Sequence, residues 1–191
     1  MKKGNYISTI LRSKKTVFSF KDIVLLWGDF GNAARVRVNY YLKNGSLYRI
    51  HQGFYAKDKN YDRDELATKI YTPSYISFET VLGRNGVTFQ YYGQIFVASY
   101  LTREIIADKQ TYAYKKIKDS VLTNDAGIEH KENYSIATTE RAFLDVIYLN
   151  KNYYFDNLLG IDWNKVYKIL PIYSNKRMEK KIKSYQENVN I

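Results

Sequence analysis

The chain has 191 residues, enough for one ordinary domain or two small ones. Its composition, 45% hydrophobic and 26% charged, is that of a folded protein rather than a disordered one. It has no cysteine, which excludes disulfides, thiolate catalysis and zinc sites that use sulfur. The longest apolar run, Ile23–Trp27, is too short to cross a bilayer, and no apolar segment follows the basic N-terminus. We therefore expect a cytoplasmic protein that does not engage a membrane.

The net charge of +11 is unevenly distributed along the chain. Residues 1–60 hold 12 Lys or Arg against three Asp or Glu, and residues 163–191 hold seven against two. Residues 61–162 are slightly acidic, with 11 basic and 14 acidic residues. A strongly basic N-terminal block beside a less basic body indicates a polyanion-binding domain joined to a domain with another role.

The first 57 residues predict three helices followed by a β-hairpin, which is the element order of a winged helix-turn-helix. The first helix covers Tyr6–Arg12. Ser19 is expected to cap the second helix, and Asp22 three residues later completes a capping box. The third helix begins after a predicted N-cap at Asn32 and ends at the Asn-Gly pair that follows Lys43. Two β-prone runs around a short glycine-containing loop predict the hairpin.

The third helix carries the candidate DNA-reading face. On a helical wheel its core stripe contains Ala34, Val38, Tyr41 and Leu42. No acidic residue occurs between Gly31 and Ala56, so the outer face can enter a major groove without repelling phosphates. A solvated face of any small helical domain has a similar composition, but the element order and the missing acids favour DNA binding. The side chains expected to face the groove are those of Asn32, Arg35, Val36, Asn39, Tyr40 and Lys43.

Among these residues, Arg35 and Asn39 are the candidates for base contacts, since Arg suits guanine and Asn suits adenine. The flanks of the helix and the hairpin are expected to contact the DNA backbone. The predicted phosphate contacts are Arg37, Arg49, His51, Gln52 and Lys57.

The polar stretch between Lys57 and Asp62 is the predicted domain boundary. Residues 62–191 predict a mixed α/β domain, so the expected fold class is α+β, with an N-terminal winged helix-turn-helix at residues 1–57. Helices are expected after caps at Asp62, Ser77 and Thr138 or Thr139, and near residues 163–170 and 175–185. The β-prone segments are residues 94–101 and 111–117.

Catalytic motifs are scarce. The chain has two histidines, no glycine-rich phosphate loop and no nucleophile motif. One weak constellation, Asp125 followed by Glu129 and Lys131, has the order found in Mg²⁺-dependent restriction-like nucleases. An acid two residues before a lysine is common by chance in a basic protein. We therefore predict no enzyme activity, no cofactor and no metal, and keep the nuclease as an alternative.

Three segments carry a family resemblance: Gly45–Tyr55, Pro73–Gly86 and Ile136–Asp145. In order, they resemble the wing, the first helix of the second domain and the Ala-Thr-x-Glu-Arg/Lys-Ala-x-x-Asp helix of AbiEi-type antitoxins. The resemblance covers roughly residues 5–170. It departs from the family at the hairpin, where His51-Gln52 stands in place of the commoner basic pair.

The resemblance implies an antitoxin of a type IV toxin–antitoxin pair that acts in phage abortive infection. In that family the winged helix represses its own operon by binding inverted repeats in double-stranded DNA upstream. The C-terminal domain, here residues 62–191, counteracts a nucleotidyltransferase toxin, usually without a stable complex. Two alternatives remain open: a stand-alone regulator without a toxin, and a toxin-neutralising protein whose DNA binding is secondary. Within the third segment, Arg141 and Asp145 are predicted to pair as a structural brace.

Overall fold

The computed structural model describes residues 6–189 and is a mixed α+β structure with two β-sheets. The chain divides into two compact units, Met1–Lys69 and Ile70–Ile191. The first unit takes in helix α4 (Arg63–Ile70) up to Lys69, whereas the sequence places that helix in the second domain. Within residues 6–189, no helix combines the length and apolar composition needed to cross a bilayer.

Before α4, the first unit contains three helices and a three-stranded antiparallel sheet. Strand β3 is central, in the order β1-β3-β2. Its Tyr55 pairs with Phe18 of β1 on one side and with Arg49 of β2 on the other. The three-residue strand β1 was not expected from the sequence. The elements are α1 (Tyr6–Arg12), β1 (Val17–Ser19), α2 (Phe20–Trp27), α3 (Gly31–Lys43), β2 (Tyr48–His51) and β3 (Phe54–Ala56).

Helix α2 has a capped start and is joined to α3 by a short turn. The predicted capping box at the start of α2 is confirmed, because Ser19 Oγ accepts from Asp22 N at 3.1 Å and Asp22 Oδ2 accepts from Ser19 N at 2.9 Å. At the other end, Gly28 adopts a φ of 62°, which lets the chain reverse at once into α3. The predicted cap at Asn32 is wrong: α3 begins at Gly31 after Phe30, whose carbonyl accepts the first helical hydrogen bond.

The core of the first unit lies between the three helices and the sheet. Trp27 is at its centre, 2% exposed, and its Nε1 donates a hydrogen bond to the Tyr6 carbonyl at 2.8 Å. The wheel of α3 is confirmed, since Ala34 and Val38 are buried and Tyr41 and Leu42 are partly buried. The buried residues of this core are Ile10, Phe18, Ile23, Trp27, Ala34, Val38, Leu47 and Tyr55.

Helix α4 is tied to the first unit by a buried carboxylate. Asp62 caps α4 by accepting from the amide of Asp64 at 2.8 Å. Glu65, three residues after this cap, does not reach back to it but accepts hydrogen bonds from Thr16 N and Oγ1 at 2.8 and 2.7 Å. Lys69 Nζ donates to Glu65 Oε1 at 2.9 Å and to the Val17 carbonyl at 2.5 Å. A fully buried carboxylate needs such partners, so α4 is a packed part of this unit.

A six-stranded mixed sheet, in the order β6-β7-β5-β4-β9-β8, forms the second unit. The strands β5 and β7 run parallel, and so do β4 and β9, while the other neighbours are antiparallel. The strands are β4 (Ser74–Ile76), β5 (Gln94–Ser99), β6 (Arg103–Ala107), β7 (Gln110–Lys116), β8 (Ile128–His130) and β9 (Ser135–Ala137). The helices are α5 (Phe78–Arg84), α6 (Asp119–Leu122), α7 (Thr139–Leu149), α8 (Trp163–Ile169), a 3-10 turn (Leu170–Tyr173) and α9 (Lys176–Val189).

Helix α7 is the buried centre of the second unit. Thr138 caps it by accepting from the amide of Arg141 at 3.3 Å, and residues 140–147 are all buried. Arg141 and Asp145 form the predicted brace, with Nε and Oδ1 3.3 Å apart and neither side chain exposed. Ser77 stands at the N-cap position of α5, but its hydroxyl donates to Asp145 at 2.7 Å instead of capping the helix.

Candidate nucleic-acid interface

The outer face of α3 presents all six residues that the sequence assigns to a major groove. Val36 is 72% exposed and Tyr40, one turn later, is 63% exposed, so the face carries apolar groups beside its polar ones. The whole helix, Gly31–Lys43, contains no acidic residue. The exposed side chains on this face are those of Asn32, Arg35, Val36, Asn39, Tyr40 and Lys43.

Two aromatic rings border this face. The guanidinium of Arg35 lies 5.6 Å from the ring centroid of Phe20, at the start of α2. The Tyr40 ring packs edge-on against Tyr41, with centroids 5.4 Å apart. Such contacts restrict a long side chain while leaving its polar end in solvent, so Arg35 and Tyr40 are partly preorganised.

An open groove of about 540 Å³ separates α3 from the hairpin strand β2. Asn39 and Lys43 line it from α3, and Arg49 lines it from β2, with its guanidinium 5.9 Å from the Tyr55 ring centroid. The structure therefore brings candidate base contacts on α3 beside a candidate phosphate contact on the hairpin. The six lining residues are Asn39, Leu42, Lys43, Leu47, Tyr48 and Arg49.

Tyr48 is a lining residue that the sequence does not single out. Its ring lies 5.8 Å from the ammonium of Lys59, which adds a cation near the groove. The signal in the sequence is the strand alternation of residues 48–50, which places the exposed Arg49 between half-buried Tyr48 and buried Ile50. That alternation identifies a strand but not which of its side chains borders a neighbouring helix.

Arg37 lies apart from the proposed DNA face. Its guanidinium pairs with the carboxylate of Asp29 and lies 3.6 Å from the ring centroid of Tyr6, and its side chain is 27% exposed. The carboxylate neutralises the charge that a phosphate contact needs. Arg37 therefore links α3 to the α2–α3 turn and to α1, and we do not include it among the proposed phosphate contacts.

The hairpin residues differ in how far they reach solvent. Gln52 is exposed at the tip, next to Gly53, whose φ of 80° closes the turn, and His51 is half-buried. Lys57 is half-buried and its ammonium donates a hydrogen bond to the Ser13 carbonyl just beyond α1. Gln52 and Arg49 are therefore the hairpin side chains best placed for a backbone contact, and Lys57 has a structural partner.

The acidic residues near the basic face are paired within the unit. Asp29 pairs with Arg37, and Asp22 accepts hydrogen bonds from Ser19 while lying 3.7 Å from Lys15 and 3.9 Å from Lys69. Burial alone would raise the pKa of Asp22, but the Ser19 hydrogen bonds and the two ammonium groups outweigh it and lower that pKa. Internal pairing leaves the surplus of positive charge to the exposed face.

The nuclease constellation is not assembled as a metal site. Glu129 pairs with Lys131 at 2.6 Å, and Asp125, 83% exposed at its side chain, lies 3.4 Å from His130. Among residues 6–189, no group of three His, Asp or Glu side chains is arranged to hold a metal ion. These contacts occupy the surface around β8 and place no two carboxylates on a common cation.

Neither known protein families nor curated proteins give a match to this chain.

Proposed function

We propose that the first unit is a winged helix-turn-helix that binds double-stranded DNA with α3 in the major groove. The element order α1-β1-α2-α3-β2-β3 supports this assignment, as does the antiparallel sheet in which β1 joins the hairpin. In such domains the second helix of the packed pair reads base edges, and the hairpin lies along the backbone or in the adjacent minor groove.

The single observation that carries the proposal is the composition of the exposed face of α3. It combines hydrogen-bonding side chains (Asn32, Arg35, Asn39), a cation (Lys43) and exposed apolar groups (Val36, Tyr40), with no acid on the helix. The exposed Val36 also suits a major groove, which offers it thymine methyl groups.

Roles follow from the position of each side chain. Arg35 and Asn39 are one helical turn apart and suit guanine and adenine edges, respectively. Lys43, Arg49 and Gln52 border the groove or the hairpin tip and suit phosphates.

We further propose that the protein is a cytoplasmic autorepressor and antitoxin, on the strength of the AbiEi-type resemblance. Two of the resembling segments meet inside the second unit: Tyr75 and Ser77 from one and Arg141 and Asp145 from the other form a single buried network. Residues that brace a core persist as markers of a fold, so the segments support a shared architecture. They do not themselves form an exposed site for a toxin.

DNA binding is tested by fluorescence anisotropy with a labelled duplex from immediately upstream of the gene and a scrambled duplex. Specific binding should survive a rise in salt that releases the scrambled duplex, because base contacts do not depend on counterion release. Asn39→Ala should lose the preference for the upstream duplex, while Lys21→Ala, an exposed cation on α2, should keep it. Equal, salt-sensitive binding to both duplexes would leave only a general polyanion surface.

Antitoxin activity is tested with the full chain, co-expressed with the toxin that the proposal requires, a nucleotidyltransferase from the same operon. In the variant Arg35→Ala/Asn39→Ala, repression should be lost while growth rescue is retained, because the proposed antitoxin domain is the second unit. Loss of rescue together with repression would mean that the protein protects by silencing the operon. The absence of any rescue by the wild-type chain would favour the stand-alone regulator.

A further inference from the structure

A second basic and aromatic surface lies on the second unit, independent of the proposed duplex-binding face. An open pocket of about 380 Å³ forms where the chain beyond α7 meets α9. Its lining consists of three tyrosines, one lysine and two small polar residues: Asn152, Tyr153, Tyr154, Lys181, Ser184 and Tyr185. No carboxylate is among the described residues that line it.

Lys181 lines this pocket, Arg177 precedes it by one turn of α9, and neither has a carboxylate partner among the described residues. Arg177 and Lys181, one turn apart on α9, donate to the carbonyls of Tyr148 and Lys151 at the end of α7. Within residues 6–189, no acidic side chain is within ion-pair distance of either cation. The carbonyls hold both side chains in place and do not neutralise their charge, so an anion is favoured there.

The like charges of Lys181 and Arg177 act on each other. Burial, together with the nearby charge of Arg177, lowers the pKa of Lys181. A phosphate bound between them would relieve this repulsion. The rest of α9 adds three basic residues, Lys176, Lys180 and Lys183, against two acidic ones, Glu179 and Glu187.

The aromatic side of the pocket is rigid and open. Tyr185 Oη donates to the Tyr153 carbonyl at 2.5 Å, and its ring packs on Phe155 with centroids 5.3 Å apart. Tyr154 is 80% exposed beside this fixed wall. An exposed ring next to a pair of unneutralised cations is the arrangement that binds a base by stacking and its phosphate by charge.

We propose that this pocket binds single-stranded nucleic acid, with a base stacked on Tyr154 and the adjoining phosphate held by Lys181 and Arg177. Stacking tolerates any base, and the carboxylate-free lining suits a polyanion. A duplex keeps its bases inside the helix, so this site discriminates by strandedness rather than by sequence. DNA and RNA strands share the required chemistry, and they differ only in the 2′-hydroxyl.

The test uses the full chain with labelled oligo(dT) and oligo(U) of about ten nucleotides, in the presence of excess unlabelled upstream duplex. Tyr154→Ala should weaken binding of single strands about tenfold, while Tyr154→Phe keeps it. Lys181→Ala should reduce the slope of log affinity against log salt by about 0.7, the value for one phosphate contact on a single strand. Direct titration with labelled duplex should show no change in either variant, which separates this site from the proposed duplex-binding face.

Matched controls lie elsewhere on the same unit. Tyr100→Ala removes another exposed tyrosine, from the turn between β5 and β6, and Lys118→Ala removes an exposed cation at the start of α6. Both should bind single strands as the wild type does. Preference for oligo(U) would add a ribose contact to the proposal, and equal binding would support base and phosphate contacts alone. Failure of both strands to bind, or an equal loss in the controls, would overturn it.

Discussion

Arg141 and Asp145 form a buried ion pair in which every polar atom has a partner. The five guanidinium N–H groups of Arg141 donate to Asp145 at 3.3 Å, to the Tyr75 hydroxyl at 2.8 Å and to three backbone carbonyls. Asp145 also accepts from the hydroxyls of Tyr75, Ser77 and Tyr173 at 3.0, 2.7 and 2.6 Å. Burial and the charge of Asp145 raise the pKa of both tyrosines well above its ordinary value, so their hydroxyls stay protonated and donate.

Removing one member of this pair leaves the other charged and buried. We expect Asp145→Ala to lower the free energy of unfolding by about 3–5 kcal/mol, because the guanidinium of Arg141 then has no counter-ion. The measurement is the melting transition of the second unit in a calorimetric scan of the full chain. Glu129→Gln breaks the exposed pair with Lys131 and should leave that transition unchanged. A similar melting temperature for Asp145→Ala would contradict the brace.

Gly127 allows the chain to pass close to this brace. It has a φ of 75°, and a Cβ at this position would lie 2.7 Å from Ile169 Cδ1 and 2.9 Å from Arg141 Cβ. We expect Gly127→Ala to destabilise the second unit by about 1–3 kcal/mol through overpacking, with backbone strain in addition. Gly93→Ala is the matched control, since it has open space around it and no positive φ. Equal melting temperatures for the two variants would show that the chain near Gly127 shifts freely.

The stability of the first unit should depend on pH through Asp22. Its pKa is lowered in the folded state, from an ordinary value of 3.8, so the ionised form stabilises the fold at neutral pH. That contribution is fully present above pH about 5 and is lost as the pH falls through 3.8 toward the folded pKa. Asp22→Asn should therefore cost stability at pH 7 and progressively less below pH about 4.

The measurement for Asp22 uses the two tryptophans of the chain, one in each unit. In a Trp163→Phe background, urea unfolding followed by Trp27 fluorescence reports on the first unit alone. At each pH, the unfolding free energy of the chain that keeps Asp22 is compared with that of the Asp22→Asn variant. The difference isolates Asp22, because the other carboxylates titrate in both proteins. A difference that stays constant with pH would show that the Asp22 charge does not stabilise the cap.

Local sequence signals predicted several features because a few neighbouring residues determine them. The Ser19–Asp22 capping box, the Thr138 cap and the Arg141–Asp145 pair each depend on residues three or four apart in one helix. The burial of Ala34 and Val38 follows in the same way from helical periodicity.

Features that depend on distant partners were missed. Strand β1 has three residues and no alternation of its own, and it exists because Val17 and Phe18 pair with β3 nearly forty residues later. Likewise, only the folded chain shows that Glu65 binds Thr16 rather than its own helix end. In the candidate site, the exposed face of α3 was predictable, whereas the pairing of Arg37 with Asp29 across the turn was not.

Arg35 and Arg37 lie two residues apart on α3 but are expected to have different roles: Arg35 contacts DNA, and Arg37 stabilises the fold. Arg35 is exposed beside Phe20, so Arg35→Ala should leave the urea midpoint of the first unit unchanged. Its operator affinity should fall by about 1–3 kcal/mol, with relaxed specificity at one base pair. Arg37→Ala removes the partner of Asp29 and the contact with Tyr6, so it should lower the urea midpoint.

Measuring both properties in both variants separates reading DNA from holding α3 in place. Anisotropy is recorded below the onset of unfolding, so that loss of affinity in Arg37→Ala does not merely report unfolded protein. Wild-type affinity in Arg35→Ala would remove Arg35 from the proposed base contacts. An unchanged urea midpoint with weakened, still sequence-selective binding in Arg37→Ala would instead show that Arg37 leaves Asp29 to contact a phosphate, as a backbone contact carries no sequence information.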